Sequence, residues 1–386
     1  MATRAFRISA ILVALLIATP SVAATWRVEL DGTGNFTNIQ SAVNAAAAGD
    51  TIHVGPGRFA TFHPIGLPGY FDEVIVLVTK PNLTFMGSGK DVTRIGTTSY
   101  YGPYGKSPRA FFGLAPNNFM LKDMTLENVY MLVFSNADVF AESCLFRGSD
   151  QRIACIDLDG SSGRVESCEF AITHGAWGVV LTGATHDFVI RDSHFSGDSH
   201  CQAINCTGGP QNIGISDCVV DDGTITFSTG ATGSISRCLI SSSYGSGVFV
   251  AEPTSSVSVN DVTIAGASTG INVANSCFSG SRLTIANTTV AAITTSGRSV
   301  VAVHDSNFMP TSGWAVYCNV ASTWPAHTLD LSNNNWGVTD AAAINTLIWD
   351  HRDDPSNPCT VVYEPYIGQP VAAETTTWGD LKALFR

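Results

Sequence analysis

Residues 215–220 read ISDCVV, and three similar words lie nearby: AESCLF ends at Phe146, VESCEF at Phe170 and ISRCLI at Ile240. In each, a cysteine stands two residues before a hydrophobic pivot. Extending this frame gives pivots at Leu126, Phe146, Phe170, Phe195, Val220, Ile240, Ile264, Ile285, Phe308 and Trp336, at intervals of 20 to 28 residues. Five residues before each pivot stand Leu121, Ala141, Val165, Ile190, Ile215, Ile235, Val259, Gly280, Val303 and Leu331. A third apolar patch (CIDLDG, GVVLTG, AINCTG) falls between successive pivots. Self-similarity at a fixed short period marks a stacked array. Three short strands and three corners in about 23 residues describe one coil of a right-handed parallel β-helix, with coils stacked at the parallel-strand spacing of ~4.8 Å. A propeller blade takes about 40 residues and a leucine-rich repeat carries its own consensus, so neither fits. The expected fold is all-β: a single-domain solenoid of roughly a dozen coils.

Composition agrees. Only 13% of residues are charged and the chain is rich in glycine, which suits short strands joined by tight turns. The formal net charge of −12 argues against nucleic acid as a partner, and against polyanionic sugars unless a cation bridges the charges. Residues 1–24 have the layout of a signal peptide: two arginines, an apolar run from Ile8 to Ala18, then small residues near Ala23 and Ala24. The apolar run is too short for a span needing ~20 residues, and no later stretch is longer, so no transmembrane segment is expected in the mature chain. The reading is a secreted monomer, extracellular or periplasmic, with a β-helix domain over 25–370 and a tail over 371–386.

The three-patch repeat from about Trp26 to Val371 resembles the pectate-lyase-like superfamily of right-handed parallel β-helices. That resemblance implies a column of small polar residues turned inward at the bend between the second and third strands. The matching slot holds Cys144, Cys168, Ser193, Cys218, Cys238, Ser306 and Asn334, with Met124, Val262 and Leu283 as apolar exceptions. Cysteine is small and content to be buried, so the column reads as a packing ladder. Ten cysteines in an exported chain also raise disulfides, with Cys144–Cys168 and Cys218–Cys238 as adjacent pairs. Reduced stacking is preferred, because in-register parallel neighbours hold their Cβ atoms slightly too far apart for a bridge. Cys206 and Cys318 read as inward on first strands; Cys155, Cys201, Cys277 and Cys359 have no assigned place.

Both ends need covering, since a solenoid otherwise exposes raw sheet edges. A helix at about 38–48, capped by Thr37 or Asn38 with Ile39, Ala42, Val43 and Ala46 on one face, serves the start. This opening resembles that of pectin methylesterases, but Phe59 and Thr61 stand where that pattern offers tyrosine and glutamate. A cap over about 337–366 closes the far end, with Asp340 or Thr339 starting a helix that carries Ile344, Leu347 and Ile348. Asp350, Asp353 and Asp354 read as a solvated acidic turn in preference to a metal cluster.

The superfamily's enzymes are mostly polysaccharide lyases, hydrolases and esterases, and their residue sets are largely missing here. The outward column on the first strand is expected to read Asp157, Val180, Asn205, Thr226, Phe249, Asn272, Ala292 and Tyr317, one aspartate in eight, which is no calcium cradle. His174-Gly175 resembles a polygalacturonase word, but no carboxylate pair of the kind such hydrolases use is evident. Four of nine histidines, His174, His186, His194 and His200, fall within 27 residues. Register places Glu169 under His194 and His174 beside His200, with Asp198, Asp150 and Asp157 on the same flank. A histidine beside a carboxylate can act as acid or base near neutral pH, and three such groups can hold zinc. The catalytic candidates are therefore Asp157, Glu169, His174, His194, Asp198 and His200, with stacked corner residues that only bond one another as the alternative; His186 belongs to another corner. Phe249 and Tyr317 on the sheet face, and Tyr100, Tyr101 and Tyr104 in a long loop, are candidate sugar-binding aromatics. No metal site or cofactor is expected, calcium being the one ion left open. The functional expectation is an exported protein that binds or processes polysaccharide or a cell-surface glycan; the alternative is a non-catalytic surface or matrix interaction protein.

Overall fold

The computed structural model describes residues 23–66, 73–99, 108–114, 118–148, 154–198, 200–242, 245–310 and 312–367. The leader up to residue 22, Tyr100, Tyr101, Tyr104, Asp150 and the tail lie outside the described residues. The chain winds as a parallel β-solenoid of about 12 turns whose strands form three sheets, of 14, 11 and 13 strands. Each turn visits them in one order, as in Trp177–Thr182 (13-stranded), Phe188–Arg191 (14-stranded) and His194–Ser196 (11-stranded). Among the described residues, pairing is parallel apart from one antiparallel contact between His63–Pro64 and Glu73–Val78.

The sequence frame is the observed register. Leu126 pairs with Phe146, Phe146 with Phe170, Phe170 with Phe195 and Phe195 with Val220. The column continues through Ile240, Ile264, Ile285 and Phe308. All of these side chains are buried, because alternate residues of a strand face one side and here that side is the core. Phe146, Phe170 and Phe195 stack face to face, with centroids 4.8 and 4.4 Å apart, one ring per coil.

The bend between the 14- and 11-stranded sheets has a local cause. The residue before each ladder position adopts positive φ: Asp123, Ser143, Ser167, Asp192, Asp217, Arg237, Asp261, Arg282, Asp305 and Asn333 all lie between 50° and 60°. Aspartate and asparagine tolerate this left-handed conformation better than most residues, which accounts for five of the ten being Asp and one Asn. The bend strands the carbonyl two residues before the ladder position, and the ladder side chain caps it. Cys144, Cys168, Cys218 and Cys238 donate Sγ–H to the carbonyls of Glu142, Glu166, Ser216 and Ser236 at 3.1–3.3 Å. Ser193 and Ser306 do the same to Arg191 and His304, both at 2.8 Å, and Asn334 reaches Leu331 at 2.8 Å. The ladder is thus a column of short donors, buried as expected; all ten cysteines of the chain, inside the ladder and outside it, are free thiols in this structure.

At the start, helix α1 (Ile39–Ala45) buries Ile39, Ala42 and Val43 against the first coils, and the Asn38 side chain accepts from Ser41 N at 2.8 Å. At the far end the helix, α2 (Ala341–Asn345), is short, and Ile348 belongs to a following strand instead. In the acidic turn there Asp353 is exposed and Asp354 half-buried, as expected, but Asp350 is not solvated. Asp350 is fully buried and accepts from Arg352 N, Nε and Nη2 and from Val361 N, at 2.7–3.1 Å. A carboxylate with that many donors is an internal clamp for the cap. Among the described residues no helix is long and apolar enough to cross a membrane.

Candidate functional site

Two places bring chemistry-bearing side chains together: the outer face of the 13-stranded sheet, and the corner where each coil passes from the 11-stranded to the 13-stranded sheet.

On the sheet face the register joins Asp157 to Val180, Val180 to Asn205, Asn205 to Thr226 and Thr226 to Phe249. It continues through Asn272, Thr294, Tyr317 and Trp349. Thr294, not Ala292, occupies the column; Ala292 is fully buried. Strands of this sheet open with two consecutive inward residues, as Ala292–Ile293, Cys155–Ile156 and Ala203–Ile204 all show. That breaks strict alternation, so counting by twos from the start of the strand gives the wrong residue.

Asp157 is half-buried near one end of this column. Burial pushes its carboxyl above the ordinary range, the Arg109 guanidinium pulls it back, and the neighbouring Asp159 pushes it up again. Asp159 follows two residues later on the same strand, on the same face and exposed. Two residues of strand rise separate their Cα atoms by about 6.5 Å. The signal for the pair lies in the word CIDLDG, whose two aspartates stand two apart and so share one face of a strand. Arg109 lies over the Phe112 ring at 4.9 Å, one of the strands preceding Asp157.

Aromatic side chains occupy the other end. Tyr317 stacks near Trp349 with centroids 6.4 Å apart and planes at 30°, and Trp314 meets Trp349 at 5.5 Å. Phe249 is half-buried in the same column, and Trp177 stands 38% exposed beside Gln202 at the start of its strand. Trp177, Trp314 and Trp349 stand at strand ends, where no apolar period marks them in the sequence.

The histidine corner is organised differently. Glu169 does pair in register with His194, but its carboxylate is taken by Lys90 in a salt bridge. His194 Nε2 instead lies 3.5 Å from Asp221 Oδ2. Asp198 accepts the backbone N–H groups of His174 and His200 and the Cys201 thiol at 3.2 Å. Burial raises the Asp198 carboxyl, but these bonds outweigh it and hold the pKa below the ordinary value. The His174 ring is exposed and meets Thr173 Oγ1 at 3.1 Å. His186 sits at the corner entering the 14-stranded sheet, where Nδ1 meets the Ala184 carbonyl at 3.1 Å. Asp198 therefore holds the turn through backbone groups. Among the described residues no three His, Cys, Asp or Glu side chains are grouped to hold a metal ion.

No protein-family model matches the chain. A curated relative, probable pectinesterase/pectinesterase inhibitor 44 of Arabidopsis thaliana, is 33% identical over 102 residues, a stretch covering 26% of this chain and 18% of that protein. The match thus spans under a fifth of the relative's length. Among solved structures, the Agl-KA catalytic domain aligns over 90% of this chain and 69% of its own, with a TM-score of 0.54 at 15% identity. The A-module of the Azotobacter vinelandii mannuronan C-5 epimerase AlgE4 aligns over 86% of this chain and 94% of its own, with a TM-score of 0.45 at 13% identity. The alginate lyase of Paenibacillus sp. str. FPU-7 aligns over 77% and 99%, with a TM-score of 0.45 at 12% identity. At 15% identity the likeness to the Agl-KA catalytic domain is one of fold.

Proposed function

We propose that the protein is exported as a monomer and binds a polysaccharide laid along the outer face of the 13-stranded sheet, with Asp157 and Asp159 as the place where the chain is processed. The observation that carries this reading is one column: a half-buried carboxyl of raised pKa at one end, polar Asn205, Thr226, Asn272 and Thr294 along it, and Phe249, Tyr317 and Trp349 at the other. Aromatic faces pack on the apolar faces of sugars, and Asn and Thr side chains bond their hydroxyls. A half-buried carboxyl of raised pKa can donate a proton to a glycosidic oxygen while a second carboxylate on the same face activates water, the division of roles inverting glycosidases use. The names of the similar proteins, a pectinesterase, an alginate lyase and a mannuronan epimerase, point to polysaccharide as the substrate class. The net charge of −12 favours a neutral chain over a polyuronate.

The test is binding and turnover on neutral and acidic polysaccharides, with and without calcium. Tyr317→Ala should weaken binding about 5- to 10-fold, the loss of roughly 1–1.4 kcal/mol of stacking. Asp157→Asn should lower turnover at least about 100-fold with binding kept, as expected for removal of a general acid. Binding without turnover would move the protein to the surface or matrix reading. Binding unaffected by Tyr317→Ala would remove the sheet face from consideration.

A further inference from the structure

Among the described residues, three pairs of thiols touch inside the solenoid: Cys144 with Cys168, Cys218 with Cys238, and Cys318 with Cys359. The first two belong to the ladder. Their side chains come from in-register parallel neighbours, about 4.8 Å apart and pointing the same way, and each sulfur already caps a carbonyl. The third pair differs in both respects. Cys318 faces inward from Trp314–Asn319 of the 13-stranded sheet, and Cys359 faces inward from Cys359–Val362 of the 14-stranded sheet. Side chains from two sheets converge on the core instead of running side by side, which lets Cβ atoms approach to the ~3.8 Å a bridge requires. Among the described residues no carbonyl accepts from either sulfur; what Cys359 meets is the Cys318 thiol. One amide also ties the two backbones: Asn357 Nδ2 donates to Cys318 O at 2.8 Å, and Asn357 Oδ1 accepts from Cys359 N at 3.1 Å. Both cysteines are fully buried.

We propose that Cys318 and Cys359 join in a disulfide that fastens the C-terminal cap, α2 included, to the last coils of the solenoid. The two thiols lose two protons and two electrons by thiol–disulfide exchange. A small disulfide such as oxidised glutathione accepts them and leaves as two thiols, through a mixed disulfide on one cysteine. The Cys318 thiol beside it, and then burial, hold Cys359 protonated in the closed fold, and exchange needs a thiolate. The bridge is therefore made while the cap is still open, and is shielded from reductant afterwards. It closes a loop of about 40 residues, long enough for the cross-link to restrict the unfolded chain substantially.

The experiment refolds the full chain in a glutathione buffer poised oxidising, then unfolds it in denaturant with an alkylating agent and no reductant. Of the ten cysteines, eight should alkylate, and digestion should yield one linked peptide containing Cys318 and Cys359. Ten alkylated cysteines, or a linkage confined to Cys144–Cys168 or Cys218–Cys238, would overturn the proposal. The refolded protein should also melt several degrees lower once reduced, whereas Cys318→Ser/Cys359→Ser should melt at the same temperature with and without reductant. If that double variant does not fold, Cys318→Ser alone still decides: nine alkylated cysteines and no linked peptide support the bridge, and a linked peptide to Cys359 refutes it.

Discussion

Each coil turns two polar corners that obey different rules. The bend from the 14- to the 11-stranded sheet repeats closely: one left-handed residue at each of the ten ladder positions and, at seven of them, one short inward donor that caps a carbonyl, the other three holding Met124, Val262 and Leu283. The corner from the 11- to the 13-stranded sheet varies in length and content, and there the histidines collect around Asp198. The first corner faces the core, so every coil meets the same constraint and the sequence repeats. The second faces water, so each coil is free to differ, and a site can be built only where loops are free to differ. A run of cysteines is the signature of the first, and it carries packing; irregularity is the signature of the second.

The sharpest way to break this contrast is to place a charge in the regular bend. Cys218 is fully buried, with Cys238 and the Ser216 carbonyl against its sulfur. Cys218→Asp would set an unpaired carboxylate there and should cost about 3–5 kcal/mol or prevent folding. Cys218→Ala loses one sulfur and one weak bond and should cost about 1 kcal/mol. Urea unfolding of the two variants measures the gap; equal effects would mean that the ladder is open to water.

At the variable corner the largest expected loss is smaller than that of a charge buried in the bend. Asp198→Ala removes acceptors for two backbone N–H groups and a thiol, and should cost about 1–2 kcal/mol by urea unfolding. Its acid behaviour has a definite sign. The folded pKa is depressed, so its contribution is complete above the unfolded pKa of about 4 and is lost as pH falls through the folded value. Asp198→Ala should thus flatten the acid limb of stability below about pH 4.

Asp157 titrates in the opposite sense. Its folded pKa is raised, chiefly by burial, so the unfolded state gives up the proton first and native stability falls as pH rises from about 4 through the folded value. Asp157→Asn removes that loss. It should raise the melting temperature at pH 7 and leave it nearly unchanged at pH 3, opposite to Asp198→Ala. A variant less stable at pH 7 would show that Arg109 outweighs burial.

How much was legible follows from the same contrast. The pivots, the ladder and the Asn38 cap could be read because each depends on residues a fixed distance apart in the chain. Glu169 pairing with Lys90, 79 positions earlier, could not be read, since Lys90 lies in an irregular turn outside the repeat. Thr294 was displaced to Ala292 because two consecutive residues turn inward where the strand opens. Asp350 was read as solvated because aspartates near proline and asparagine usually mark surface turns; the donors that bury it, Arg352 and Val361, follow at no periodic spacing.

The smallest effect tests what holds the regular bend. Arg237 and Arg282 occupy the left-handed position, and each reaches back one coil with two bonds, to Asp217 at 2.6 Å and to Asp261 at 2.5–2.8 Å. From Asp217 to Asp305 the charges on this ridge thus alternate, but the pairs are exposed, and such pairs contribute only about 0.2–1 kcal/mol. The left-handed backbone costs a non-glycine residue about 1–2 kcal/mol. Arg237→Ala loses the pair and keeps the backbone cost, so it should lose up to about 1 kcal/mol. Arg237→Gly loses the same pair but removes the backbone cost, against a larger entropy loss on folding, and should stay within about 0.5 kcal/mol of the parent. If glycine instead proves as harmful as alanine, the ion pair and not the backbone sets the bend; raising the salt concentration should then abolish the parent's advantage over both.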